Sequence, residues 1–154
     1  MGSLVTSNPP ESMIAEELRR NAQWVLSFAE RLPRISITDV QAKPVTGQPG
    51  FFEVNAHVVN LGWMATATEY AANVLKITKP VSARVTLVNA ELVESADVVK
   101  LGVLPGLREN NQEVIFPIQW NVKIVNPNEP ASVNITVTSE KAGVACHRID
   151  LIPH

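Results

Sequence analysis

Residues 51–60 constrain this chain more than any other stretch. Phe52, Val54, Ala56 and Val58 alternate with Glu53, Asn55, His57 and Val59. A period of two places one set on each face of a strand, with the apolar set turned to a core. Asn60-Leu61-Gly62 then ends the pattern with residues that tolerate turn backbone. The same alternation returns at Val114, Phe116, Ile118, Trp120, Val122 and Ile124, and again at Val133, Ile135 and Val137. Val81, Ala83, Val85 and Leu87 make a further such run. A chain with this many period-two runs is committed to half-buried antiparallel strands.

One segment has a different period. Ile14, Leu18, Ala22, Val25, Ala29 and Leu32 recur at three and four, and Trp24 and Phe28 widen the stripe. This predicts one amphipathic helix over residues 10–32. Asn8, Pro9 and Glu11 suit its first turn, Ser12 is a rival cap, and Pro33 ends it. Such a stripe must be covered, and within the chain the sheet is the large partner on offer. Trp24 and Trp120, both on apolar faces, are therefore expected in the core.

The remaining strands are shorter. Ile35 and Ile37, with Asp39-Val40, open the β region, and residues 43–50 (KPVTGQPG) read as a loop. Residues 70–79 follow neither period. Residues 91–93 and 98–99 are one irregular strand or two short ones. Pro117, which has no amide proton, calls for an edge or a bulge. Residues 126–130 and 139–143 are turns, and residues 144–151 close the set. The expectation is a mainly β, immunoglobulin-like antiparallel sandwich of about seven strands over residues 34–154. It is preceded by a linker helix over 8–33 that packs on the sandwich, and residues 1–7 read as a cloning remnant without order.

Composition narrows the function. A net charge of −2 with scattered Lys and Arg argues against nucleic acid and against a polybasic membrane contact. No apolar run reaches the ~20 residues that span a bilayer. No signal peptide is evident, which leaves the location of the protein open. Cys146 is the single cysteine, so no internal disulfide forms; it is expected as a small buried hydrophobe. His57 is expected on a solvated or edge face. His147 and Asp150 are three apart, hence on opposite faces of a strand and unable to share a metal. No nucleophile elbow, phosphate loop or paired-cysteine motif occurs. Asn134-Ile135-Thr136 fits a glycosylation acceptor by pattern alone. Trp63 and Tyr70, beside a turn, are the candidate interaction surface, for a sugar or for another domain.

Asn8-Pro9-Pro10, the helix, Leu32-Pro33 and Ile35 are followed by Val59 to Thr66 (VNLGWMAT), then Trp120, then Ser139-Glu140-Lys141-Ala142-Gly143. That order resembles the C-terminal, non-catalytic region of bacterial zinc carboxypeptidases of the carboxypeptidase A-like class. Ala65 departs from it, standing where that pattern carries Pro. The resemblance implies a β-sandwich accessory domain whose partner is the catalytic domain of the same parent chain. Zinc belongs to that absent domain: here no His precedes a Glu by three, since His57 leads to Asn60 and His147 to Asp150. This chain is thus expected to hold no cofactor, metal or catalytic residue of its own. A polysaccharide- or cell-wall-binding module is the alternative, and pairing of edge strands between two copies is a further expectation.

Overall fold

A computed structural model describes residues 10–107 and 112–152. The expectations for Asn8, Pro9 and residues 1–7 fall outside them. Two units separate at the Leu32–Pro33 bond.

The first unit is a helix, α1 (Glu11–Ala29). Pro10 occupies the N-cap with no side-chain cap, and Glu11 places an acid in the first turn. Glu16 and Glu17 both pair with Arg20 along the polar side. None of the residues of α1 is buried. Trp24 is 66% exposed and stacks on Phe28, with ring centroids 5.6 Å apart. The expectation that Trp24 belongs to the core is therefore wrong. Its spacing reported a helix face, and a face on a helix does not say what covers it.

The second unit is a sandwich, with eight strands among the described residues. One sheet runs β1 (Ile35–Pro44), β2 (Phe51–Asn60), β6 (Phe116–Ile124), β4 (Ala90–Leu92). The other runs β5 (Val98–Gly102), β3 (Val81–Val88), β7 (Ala131–Ser139), β8 (Gly143–Leu151). All neighbours are antiparallel. This is the immunoglobulin-like order, with β4 and β5 supplying the two short strands between β3 and β6. The eighth strand arises because residues 90–92 and 98–102 join different sheets.

The core follows the alternation. Val54, Ala56, Val58, Trp120, Val122, Val133, Ile135 and Val137 are fully buried, and the two sheets meet through them. Trp120 donates its indole N–H to the Ala96 carbonyl at 3.0 Å, so its one polar atom is satisfied.

β1 is longer than expected because it carries a bulge. Thr38 pairs with His57 and Gln41 with Asn55, so Asp39 and Val40 together face Ala56. Asp39 sits at φ 49°, a left-handed conformation that an Asp adopts more readily than most residues. The extra residue restores the alternation for Gln41 and Lys43, which carries the strand on to Pro44 through residues expected in the loop.

Pro117 lies in β6, opposite His57. β4 covers only Val122 to Ile124, so β6 is an edge at residue 117. Asn121 turns its N–H to Ser95 and its carbonyl to Val93, away from β2. By the two-residue repeat Pro117 turns its missing donor to the same open side.

Cys146 is exposed, on the outward face of the edge strand β8. The expectation of a buried cysteine fails because β8 buries little beyond Leu151.

Candidate functional site

The end of the sandwich where β2 stops is held by one side chain. Asn60 is 2% exposed. Its Oδ1 accepts from the Arg34 N–H at 2.9 Å and the Gly62 N–H at 3.0 Å. Its Nδ2 donates to the Met64 carbonyl at 2.8 Å and the Pro105 carbonyl at 3.1 Å. Both N–H donors and both acceptor lone pairs of the amide are thereby used. The start of β1, the turn after β2 and the stretch after β5 are thereby joined at one point.

Neighbouring contacts extend the join. The Leu104 N–H donates to Thr66 Oγ1 at 3.0 Å, and the Thr66 N–H donates to the Leu104 carbonyl at 2.9 Å. The Leu107 N–H donates to the Gly62 carbonyl at 2.9 Å. Gly106 passes so close to the turn that a Cβ there would stand 2.0 Å from the Trp63 carbonyl oxygen. Only glycine fits at that crossing. The Asn-Leu-Gly-Trp turn is thus an architectural clasp. The turn at residues 139–143 is another: the Ala142 N–H donates to Ser139 Oγ at 3.2 Å, and Gly143 takes φ 78°.

Exposed apolar side chains follow the first clasp along the chain. Trp63, Met64, Tyr70, Val74, Leu75 and Ile77 all face solvent, the middle ones on a single π-helical turn at Tyr70–Val74. The two candidate interaction residues, Trp63 and Tyr70, are both among them. Among the described residues Trp24 and Phe28 form a stacked aromatic pair.

The reactive side chains are scattered. Among the described residues no group of three His, Cys, Asp or Glu could hold a metal ion. His57 is on the outward face of β2, its Nδ1 3.5 Å from Asp39 Oδ2. On β8, Asp150 accepts from Arg148 at 3.2 Å. Cys146 Sγ is 3.8 Å from Thr136 Oγ1. Asn134 is half-buried in the middle of β7, a central strand, on the face opposite the buried Val133 and Ile135. Among the described residues no helix is long and apolar enough to cross a membrane.

Residues 34–150 match the model of a protein family described as a domain of unknown function, DUF8731. The chain belongs to that family. The DUF8731 match begins one residue after the sandwich unit does and leaves α1 outside. No curated protein matches the chain. A solved structure, a conjugative transposon lipoprotein from Bacteroides eggerthii DSM 20697, is similar with a TM-score of 0.39 and 11% identity. That likeness covers 76% of this chain and 95% of the lipoprotein.

Sequence reasoning missed the clasp as such. Its signals were present, an Asn at a strand end and a Gly after Pro105, but residues 45 positions apart in the chain do not announce that they touch.

Proposed function

We propose that this DUF8731 domain is a non-catalytic accessory sandwich of a zinc metallocarboxypeptidase, docked on and steadying the catalytic domain of the same parent chain. The supporting observation is the wide apolar face of α1. Ile14, Leu18, Trp24, Val25 and Phe28 are each between 39% and 66% exposed. With Met13 and Leu26 they span an arc on the order of 200°, at 3.6 residues per turn. A helix lying on one surface needs a stripe of about 100°. An arc twice as wide fits a groove in a larger apolar body, which removes that surface from water.

The exposed side chains of Trp63, Met64 and Tyr70 support the same reading. Trp63 and Tyr70 are assigned here to a domain contact, in place of the alternative role in binding cell-wall polysaccharide.

Two measurements test this. The upstream coding sequence should contain, in frame, a His-x-x-Glu and a second His. Co-expression with that upstream domain should give one co-purifying complex, lost on replacing Leu18, Val25 and Phe28 by Glu. An upstream frame without the zinc motif, or a complex indifferent to those changes, would remove the proposal.

A further inference from the structure

The outward face of the β1-β2-β6-β4 sheet carries residues that strands ordinarily avoid. Asn, Asp and Pro are depleted in strands. Asp39, Asn55, Asn121 and Pro117 nevertheless share this one face. The strand register arranges them in transverse rows. Thr38, His57 and Pro117 form one row, Gln41, Asn55 and Gln119 the next, then Lys43, Glu53 and Asn121. Phe51, Lys123 and Glu91 form the last. From Pro117 to Lys123 the face runs roughly 20 Å at 3.4 Å per residue.

A depression of about 240 Å³ lies over the first two rows, with Asp39, Gln41, Asn55, His57 and Pro117 in its wall. The bulge sets its geometry. Asp39 Oδ1 accepts from Gln41 Nε2 at 2.7 Å, and its other oxygen faces His57 Nδ1 at 3.5 Å. An Asp kept at φ 49°, where glycine would sit without strain, indicates that its side chain is wanted there. Local choices that oppose propensity concentrate at functional sites.

We infer that this face binds a hydroxyl-rich polymer, a polysaccharide strand, with Gln41, Asn55 and Gln119 as the central contacts. Asn55 Nδ2 donates to Glu53 Oε1 at 2.6 Å and Gln41 Nε2 to Asp39 Oδ1, which fixes both amides and leaves each a second N–H and its carbonyl oxygen in one plane, a match for neighbouring hydroxyls of a sugar ring. Charges on the face nearly cancel, with Asp39, Glu53 and Glu91 against Lys43 and Lys123, so a polyanion is not favoured. Lys123 is already engaged, 5.4 Å over the Phe51 ring and 3.8 Å from Glu91. The face is separate from Trp63 and Tyr70 and is independent of the metallopeptidase reading.

The test is affinity electrophoresis of the full chain in native gels containing laminarin, xylan, glucomannan or galactomannan, with sedimentation on purified peptidoglycan sacculi. Retention by at least one of these is expected. The variant Gln41→Ala/Asn55→Ala/Gln119→Ala should weaken it at least tenfold while melting like the parent, and Trp63→Ala should leave it unchanged. No retention on any polymer, retention unaltered in the triple variant, or retention abolished by Trp63→Ala would each overturn the inference.

Discussion

Replacing Asn60 by Ala should be among the most damaging polar substitutions in the sandwich. The change removes four hydrogen bonds, to Arg34, Gly62, Met64 and Pro105. A neutral hydrogen bond contributes about 1 kcal/mol net, and a buried group left without a partner costs about 1–3 kcal/mol. The Gly62 bond is buried and the other three are partly so, which lets water recover some of the loss. The expected cost is about 3 kcal/mol, or roughly 12 °C at about 4 °C per kcal/mol for a domain of this size. Urea denaturation followed by circular dichroism reads it as a lower midpoint at constant slope. Asn60→Asp sharpens the test. Its carboxylate still accepts from Arg34 and Gly62 but sets a second oxygen against the Met64 and Pro105 carbonyls. Burial and those carbonyls raise its folded pKa above the unfolded value. The lost stability should then return as pH falls through the raised pKa, because the protonated acid can donate again. A loss under about 1 kcal/mol for Asn60→Ala, or an Asn60→Asp variant insensitive to pH between 4 and 8 in a comparison with wild type, would refute the clasp as the support of this end.

Three further substitutions have defined signs. Gly106→Ala places a Cβ 2.0 Å from the Trp63 oxygen, so it should destabilise by several kcal/mol or prevent folding, seen in soluble yield and in the urea midpoint. Asn89, at φ 52°, ties the β3–β4 crossing to Asn126 and Glu129; Asn89→Ala should therefore cost more than Asn89→Gly, by about 1 kcal/mol, because glycine keeps the left-handed backbone without strain. Ser132 Oγ is buried with no partner, so Ser132→Ala should be neutral or stabilising by up to about 1 kcal/mol on thermal melting.

The strands were legible wherever burial alternates along one segment. Val54 through Val58 and Ile118 through Ile124 show it in both sequence and structure. Legibility stopped where a residue's partner is distant in the chain. The bulge at Asp39 depends on pairing with β2, and the fates of residues 90–92 and 98–102 depend on which sheet each meets. Trp24 and Cys146 show the limit for side chains. Apolar character gives a preference for burial, and the supply of a covering surface decides whether it is met. The candidate interaction residues Trp63 and Tyr70 were legible as aromatics beside a turn. The amide rows were not, because Gln41, Asn55 and Gln119 become neighbours only through register.

Pro117 has a consequence for how these molecules meet one another. Edge-to-edge growth needs an unbroken ladder of donors and acceptors along an unpaired strand. Beyond the reach of β4, the rim of β6 offers an amide at Gln119 and a gap at Pro117, and at Asn121 Ser95 already occupies the site. A visiting strand would find one rung and then none. Assembly through this rim is closed off, and any pairing of two copies is left to the margins formed by β1, β5 and β8.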